Sequence, residues 1–188
     1  MADPYVTCPV LQNEKFLLRL VESADAADLL RVYSDEKAVP FFNSDNCHGD
    51  DFHYTTPERM QGAVDFWLES YREKWFVRWV IVDQQTKEAV GTIELFHRQA
   101  ADFFDNCGLL RLDLRSDYEN VAHIQEVLSL IVPPAYDLFC CRMIATKAIS
   151  SATQRKLALE MHGFEATEKA LVGHDGTRYT DYYVKIRD

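Results

Sequence analysis

The pattern of apolar and polar positions is clearest in the middle of the chain. Residues 108–115 alternate between apolar and polar types after Leu110, which is the period of a half-buried strand. Apolar residues then recur at helical spacing from Val121 to Ile131, and we expect this helix to end at Pro133-Pro134. After a short connecting segment, Arg142–Lys147 predicts a second strand.

A polar turn at residues 116–120 joins the first of these strands to the helix. A strand, a helix and a second strand in this order predict a crossover between parallel strands. Such a turn leaves the first N–H groups of the helix unpaired at the carboxyl end of the strand. The sequence therefore predicts a site for an anionic cofactor at this turn.

The regions on either side predict further helices and strands. Thr56-Pro57-Glu58 is typical of a helix start, and Ser23 is expected to cap a shorter helix that ends near Tyr33. Gly163 is expected to end a helix that begins at Ser150. The predicted strands are rich in β-branched and aromatic residues and lie at 16–21, 77–82, 89–96, 164–172 and 177–186.

Elements in this order predict an α+β fold with one domain, residues 1–188. We expect a mixed, largely antiparallel sheet with one central parallel βαβ crossover and helices on both faces. Residues 1–14 precede the first predicted strand. We set them apart as an N-terminal extension whose flexibility the pattern leaves open.

Composition and charge narrow the possible partners. The chain has 188 residues, is 47% hydrophobic and carries a formal net charge of −10, so it can bury a full core. Nucleic acid and anionic membranes are polyanions that need a basic face, and we exclude both as partners. A cationic partner fits this charge better. The alternative is that the acidity only keeps the protein in solution.

The cysteines and the hydropathy bear on the compartment. Five cysteines give an odd number with no C-x-x-C pair, and no signal peptide is recognisable ahead of them. No apolar run approaches the roughly 18 residues of a membrane span. We therefore expect a reduced, cytoplasmic protein.

Four short pieces of the chain carry a resemblance to a known family. They are Arg78-Trp79-Val80-Ile81-Val82, Val90-Gly91-Thr92-Ile93-Glu94-Leu95, Met161-His162-Gly163-Phe164 and Asp175-Gly176-Thr177-Arg178-Tyr179-Thr180-Asp181. They resemble the W-x-I, I-G-x-I-x-L, G-F and D-G-x-x-x-D motifs of the GNAT superfamily of N-acetyltransferases. Their order and spacing, from Phe16 to Ile186, are most similar to the ribosomal-protein and spermidine acetyltransferase branch.

The resemblance implies acetyl-CoA as co-substrate and places it on the central crossover. In the family the pantetheine arm lies along the strand that here contains Leu112, Leu114 and Arg115. The pyrophosphate sits on the following turn, where the family has Q/R-x-x-G-x-G/A. The matching residues here are Glu119, Asn120, Val121, Ala122, His123 and Ile124.

This turn departs from the family pattern because its first residue is acidic and both glycines are replaced. The Glu119 carboxylate would oppose pyrophosphate binding by about one to a few kcal/mol. Side chains at Ala122 and Ile124 would hold the phosphates away from the backbone. Backbone N–H groups and the helix dipole favour binding in spite of this, with His123 or Arg115 as a source of positive charge. The alternative is a turn that only starts a core helix.

The resemblance also directs attention to three residues for catalysis. Asp113 and Glu94 are the candidate bases, since both are acids on strands that flank the cleft. For Asp113 the alternative is an ion pair with Arg111 or Arg142.

The group that protonates the leaving thiolate of the coenzyme is less well matched. The tyrosine that the family often uses corresponds to Leu157. The asparagine at the start of that helix corresponds to Ser150. The Ser150 hydroxyl is therefore the candidate donor to the thiolate, with an ordinary helix N-cap as the alternative.

The loop at residues 43–54 corresponds to the part of the family that shapes the acceptor pocket. Four acids here, Asp45, Asp50, Asp51 and Glu58, are suited to attract a cationic amine. Cys47, His48 and His53 are metal-ligand types, but their spacing matches no known zinc pattern, and we predict no metal.

We therefore predict an acetyl-CoA-dependent N-acetyltransferase acting on an amine, either a protein N-terminus or a polyamine. The alternative is a non-catalytic GNAT-fold protein that senses an acyl-CoA or binds a partner protein. A homodimer through an exposed sheet edge or the last hairpin is left open.

Overall fold

A mixed sheet of eight strands organises the chain in the computed structural model, which describes residues 3–187. The strands of this sheet are β1 (Leu11–Gln12), β2 (Phe16–Leu20), β3 (Val77–Asp83), β4 (Ala89–Arg98), β5 (Cys107–Leu114), β6 (Met143–Lys147), β7 (Glu165–Ala166) and β10 (Tyr182–Ile186). A separate two-stranded sheet contains β8 (Leu171–Val172) and β9 (Arg178–Tyr179). The helices are α1 (Ala26–Tyr33), α2 (Pro57–Arg72), α3 (Val121–Leu138) and α4 (Thr153–Met161).

The strand order confirms the predicted topology. The sheet runs β1-β2-β3-β4-β5-β6-β10-β7, and every neighbouring pair is antiparallel except β5 and β6. Helix α3 connects that parallel pair, as the central crossover requires. The predicted C-terminal hairpin is divided, because β8 and β9 pair only with each other while β10 joins the main sheet.

Helices cover both faces of the sheet, as predicted. Strand β3 is buried along its whole length. Its Trp79 packs into the core formed with α3 and α4. The next residue, Val80, packs into the core formed with α1 and α2, because successive side chains point to opposite faces. The strand therefore divides two apolar cores, and polar residues on the α1/α2 face are enclosed as well.

Strands β5 and β6 diverge along their length. Their pairing begins at Cys107 with Met143 and ends at Leu110 with Thr146. The last four residues of β5, 111–114, have no partner on β6. A wedge therefore opens between the strands just before α3 begins, and other groups must satisfy its backbone acceptors.

Helix α3 is longer than the sequence predicts. It continues through Pro133-Pro134 to Leu138, so the expected end at the proline pair is wrong. Each proline removes one helical hydrogen bond. Val132 and Ala135 on either side are buried in the core, and this tertiary packing holds the helix together across the missing bonds.

Two predicted helix caps are also wrong. Helix α4 begins at Thr153 with Ala152 as its N-cap, so Ser150 lies outside the helix and is exposed. Before α1, the N-cap of the helical turn at residues 23–25 is Glu22 rather than Ser23, and the N–H of Glu22 donates to the Asp25 carboxylate at 2.7 Å, as in a capping box. The predicted cap of α2 is confirmed, since the Thr56 hydroxyl accepts the N–H of Arg59 at 3.2 Å.

The N-terminal segment is fixed to the body of the fold. Strand β1 pairs with β2, the indole Nε1 of Trp79 donates to the carbonyl of Pro9 at 2.9 Å, and the Tyr71 hydroxyl donates to the carbonyl of Pro4 at 3.0 Å. Met1 and Ala2 of the predicted extension lie outside the described residues.

All five cysteines are free thiols. Within residues 3–187, none of the helices combines the length and the apolar character needed to cross a bilayer.

Replacement of Gly91 by Ala should destabilise the β4–β5 pair. A Cβ atom there would lie 2.3 Å from the carbonyl oxygen of Asp113, so the strands would have to separate. We expect a loss of about 1–3 kcal/mol in the free energy of unfolding. In contrast, Gly62→Ala in α2 meets no atom within 4 Å and should stabilise the protein by roughly 0.4–1 kcal/mol. Urea denaturation of both variants measures the change in the free energy of unfolding. Equal changes in the two variants would contradict the close approach of Gly91 to the Asp113 carbonyl.

Candidate active site

A buried ion-pair network crosses three strands on the α1/α2 face. Arg78 of β3, Glu94 of β4 and Arg111 of β5 lie opposite one another in the strand register. Nη2 of Arg78 donates to Oε2 of Glu94, and Nη1 of Arg111 donates to its Oε1 at 2.7 Å. Burial disfavours the charged carboxylate, but the attraction of Arg111 and Arg78 is stronger and lowers the pKa of Glu94 below its ordinary 4.5. Glu94 is therefore ionised at neutral pH.

Asp113 lies deeper on the same face and is fully buried. Its Oδ2 accepts hydrogen bonds from the Tyr33 hydroxyl at 2.8 Å and from Nη1 of Arg78 at 3.3 Å. Its Oδ1 has no hydrogen-bond partner within residues 3–187. Burial raises the pKa of Asp113, although the attraction of Arg78 opposes the rise. Asp113 does pair with an arginine, but the expected partners Arg111 and Arg142 are wrong, because the arginine in the ion pair is Arg78.

A pocket of about 630 Å³ lies above this network. Arg78, Glu94 and Arg111 form its floor. Seven aromatic side chains line the pocket, Phe52, Tyr54, Phe66, Trp67, Trp75, Phe76 and Phe96, together with polar residues that include Asp50 and Arg59. Of the predicted catalytic residues Asp113, Glu94 and Ser150, Glu94 is the one among the lining residues. Asp113 is enclosed beneath Tyr33 of α1 instead.

Two acids of the loop before α2 are already neutralised. Lys147 donates to both carboxylate oxygens of Asp45, at 2.6 and 2.7 Å. Asp50 pairs with Arg59, whose guanidinium also lies 4.3 Å from the centre of the Tyr54 ring. The loop therefore offers less free negative charge than its sequence implies. No group of three or more His, Cys, Asp or Glu side chains within residues 3–187 is placed to hold a metal ion.

The wedge between β5 and β6 is filled by Arg155 of α4. The side chain of Arg155 is only 2% exposed. Its Nε and Nη2 donate to the two carboxylate oxygens of Glu119, each at 2.7 Å. Its Nη1 donates to the carbonyl of Leu112 at 2.8 Å and to the carbonyl of Phe41 at 2.9 Å. The guanidinium thus satisfies the Leu112 carbonyl on the open edge of β5.

The first N–H groups of α3 are partly occupied as well. The Asn120 side chain accepts the N–H of His123 at 3.1 Å, which makes Asn120 the N-cap. The Gln154 side chain accepts the N–H of Val121 at 3.3 Å. Ile124 is fully buried in the main core, so the expectation that its side chain holds phosphates away is wrong. Ala122 lies between these positions on the first turn and is exposed.

Neither predicted source of positive charge at this turn is free. The His123 ring lies 4.9 Å from the Tyr118 ring, and burial lowers its pKa below 6.5, so the imidazole is neutral at pH 7. Arg115 donates to Asp117 at 2.7 Å and to Glu88 at 3.4 Å. The cation at this turn is Arg155, which the sequence did not suggest as a site residue.

These contacts decide whether acetyl-CoA fits the groove that the resemblance assigns to it. The Leu112 carbonyl and the N–H groups of Val121 and His123 already have partners, and Arg155 with Glu119 fills the space between them. In this conformation the residues present do not fit the coenzyme. The side chains of Leu112 and Leu114 belong to the apolar core, so only their backbone faces the groove.

Sequence reasoning missed Arg155 but a signal was present. Arg155 precedes Ala158 and Leu159 by three and four residues, which places a charge on the apolar side of α4. A buried charge on a helix needs a partner, and Glu119 was already a misfit in its turn. Of the two positions matched to the family's donors, Leu157 is 47% exposed and Ser150 lies in the loop before α4 rather than in the helix.

Comparison with known proteins agrees with this fold. A family model described as an acetyltransferase (GNAT) domain matches residues 15–163. An uncharacterised N-acetyltransferase of Bacillus subtilis, YoaA, is 26% identical over 92 residues, which are 49% of this chain and 48% of that protein. The chain therefore matches about half the length of this curated relative.

Solved structures resemble the chain over almost its whole length. The ribosomal-protein-S5-alanine acetyltransferase of Vibrio fischeri has a TM-score of 0.70 and 18% identity, with 96% of this chain and 97% of that chain covered. Mycobacterium smegmatis RimJ in complex with CoA-disulfide has a TM-score of 0.67 and 16% identity, with 94% and 84% covered. At identities this low, the structural similarity establishes a shared fold and nothing more.

Glu94→Gln and Asp113→Asn should change the pH dependence of stability in opposite directions. The lowered pKa of Glu94 means that its contribution is present above pH 4.5 and is lost as the pH falls through the folded-state value. The raised pKa of Asp113 means that its contribution is complete below pH 3.8 and is lost as the pH rises through the folded-state value.

Urea unfolding of the unmodified chain and both variants from about pH 3 to about pH 7 tests this pair of signs. As the pH falls, the unmodified chain should lose stability relative to Glu94→Gln and gain stability relative to Asp113→Asn. Changes of the same sign for both variants would show that the two carboxylates do not have opposite electrostatic environments.

Proposed function

The chain belongs to the GNAT acetyltransferase family, and from that premise we propose that it transfers an acetyl group from acetyl-CoA to an amine bound in the aromatic pocket. The observation that carries the proposal is the position of this pocket beside the coenzyme groove. Arg111 forms part of the pocket floor, while the carbonyl of the next residue, Leu112, faces the groove. A donor in the groove and an acceptor in the pocket would meet across β5.

The pocket favours an amine that carries a large apolar group. Seven aromatic side chains line the pocket, and two of these, Phe66 and Trp75, are 54% and 58% exposed at its rim. A polyamine would need free carboxylates in the pocket, yet Asp50 is paired with Arg59, and Asp45, Asp51 and Glu58 are not among the lining residues. We therefore favour the amino terminus of a protein with an apolar first residue over a polyamine. The Vibrio fischeri structural neighbour bears the name of an enzyme that acetylates a ribosomal protein.

The charges of the pocket floor suit the chemistry of acetyl transfer. The nucleophile is the neutral amine, so its ammonium form must lose a proton. Two guanidiniums, Arg78 and Arg111, face one carboxylate, Glu94, at the floor. A nearby positive charge lowers the pKa of a bound amine and increases its neutral fraction. Glu94, ionised and held between the arginines, is placed to accept a hydrogen bond from that amine.

The second candidate function is a non-catalytic GNAT-fold protein that senses an acyl-CoA or binds a partner. The observation that favours it is the Arg155–Glu119 pair, which occupies the coenzyme groove. The two functions differ in one measurable respect, because only the transferase releases free CoA thiol when an amine is added.

Thiol release from acetyl-CoA should depend on the apolar group of the amine. We expect a tetrapeptide with N-terminal Phe to give a kcat/KM at least about tenfold above that of spermidine, since its ring enters the aromatic pocket. The same peptide with a blocked N-terminus is the control and should give no release. A preference for spermidine would contradict the acceptor class, and no release with any amine would contradict the transferase.

Trp75→Ala should weaken the acceptor site without affecting the fold. Removing this exposed ring from the pocket rim should raise KM for the Phe peptide about tenfold, which corresponds to about 1.4 kcal/mol of lost contact. Phe103→Ala is the matched control, because Phe103 is 45% exposed and does not line this pocket. Steady-state kinetics of the two variants measure the effect. Equal KM values would place the acceptor elsewhere.

A further inference from the structure

One buried ion pair joins four segments that are distant in the sequence. Arg155 lies on α4, Glu119 follows β5, the Leu112 carbonyl is on β5, and the Phe41 carbonyl ends the short helical turn at residues 39–41. The side chains of Arg155 and Glu119 are 2% and 6% exposed. The pair is bidentate, the strongest geometry available to an arginine and a carboxylate.

Stability alone does not account for this pair. Removing two charges from water is costly, and apolar residues of similar size commonly stabilise such a position as well or better. Arg155 lies on the buried side of α4 next to apolar residues of the main core, where an apolar side chain would pack. The pair instead occupies the wedge that opens between the parallel strands β5 and β6 after Leu110 and Thr146.

We propose that Arg155 determines whether this chain binds coenzyme. With Arg155 on Glu119, the groove is closed. Coenzyme binds only the form in which Arg155 has left the Leu112 carbonyl. This inference rests on the proposed function, since it concerns the groove assigned to acetyl-CoA.

The chemistry of the coenzyme can drive this opening. Its diphosphate is an anion that competes with the Glu119 carboxylate for the guanidinium, and both make charge-assisted hydrogen bonds to arginine. While Arg155 stays on Glu119, the carboxylate has a partner and the groove has no free cation. Once Arg155 is released, its positive charge can compensate the diphosphate in a chain whose formal net charge is −10.

Closure reduces the apparent affinity for coenzyme in proportion to the fraction of open molecules. Changes that weaken the pair should therefore increase the affinity. In contrast, if Arg155 were an ordinary phosphate ligand in a groove that is already open, removing it would decrease the affinity.

Calorimetric titration with CoA tests the inference in two variants. Glu119→Gln removes the carboxylate that holds Arg155, and the double variant Arg155→Ala, Glu119→Gln empties the groove without leaving a buried charge unpaired. We expect Glu119→Gln, which frees the Arg155 guanidinium for the diphosphate, to bind CoA at least about tenfold more tightly than the unmodified chain. The double variant opens the groove but loses this cation, so it should bind more tightly than the unmodified chain and less tightly than Glu119→Gln. If the double variant does not unfold cooperatively in urea, Glu119→Gln alone decides. Equal or weaker binding by the folded variants would overturn the inference.

A second ion pair provides the matched control. Arg19 and Asp25 form a bidentate pair, at 2.7 and 2.9 Å, between β2 and the turn before α1. Strand β2 is separated from β5 by β3 and β4. The double variant Arg19→Ala, Asp25→Asn should lose stability without a change in CoA affinity. A similar gain in affinity in this control would show that general loosening, rather than the groove, is responsible.

Thiol release with the Phe peptide in the same variants separates this inference from the proposed function. Tighter CoA binding without thiol release in any form would support the closing pair and contradict the transferase. Thiol release with the same CoA affinity in all forms would support the transferase and contradict the closing pair.

Discussion

The divergence of β5 from β6 after Leu110 and Thr146 is the constraint on which the site depends. A strand that loses its neighbour inside a protein leaves backbone groups that need other partners. Here the carbonyl of Leu112 finds its partner in Arg155. A buried guanidinium in turn requires a carboxylate, and Glu119 supplies it. Glu119, the acid that departs from the family pattern in the turn before α3, is therefore the counter-ion of Arg155 on α4.

The two ionic networks contact β5 in different ways, one through side chains and the other through a backbone carbonyl. Arg111 and Asp113 point to the α1/α2 face, where they join Arg78 and Glu94. The side chain of Leu112 points to the opposite core, and its carbonyl, at a position where β5 has no partner on β6, accepts from Arg155. A single strand thus separates an acceptor pocket from a donor groove. The two regions are distinct in charge: the pocket floor has two arginines for one carboxylate, and the groove has one of each.

Much of the fold could be predicted because local patterns agree with the tertiary structure. The alternation in residues 108–115 and the helical spacing after Val121 give the central crossover correctly. The continuation of α3 through the proline pair could not be predicted, since burial of Val132 and Ala135 outweighs the local signal of Pro133-Pro134. Arg155 was missed because its importance comes from contacts with residues 36 and 43 positions away, Glu119 and Leu112.

The central claim is that the Arg155 guanidinium occupies the groove and must leave it for coenzyme to bind. Nuclear magnetic resonance of the arginine Nε–H groups observes this side chain directly, because a buried, hydrogen-bonded N–H exchanges slowly with water. We expect the Arg155 Nε–H signal to be protected in the free chain, and to shift and lose protection as CoA approaches saturation. Saturation by CoA with an unchanged, protected Arg155 signal would contradict the claim.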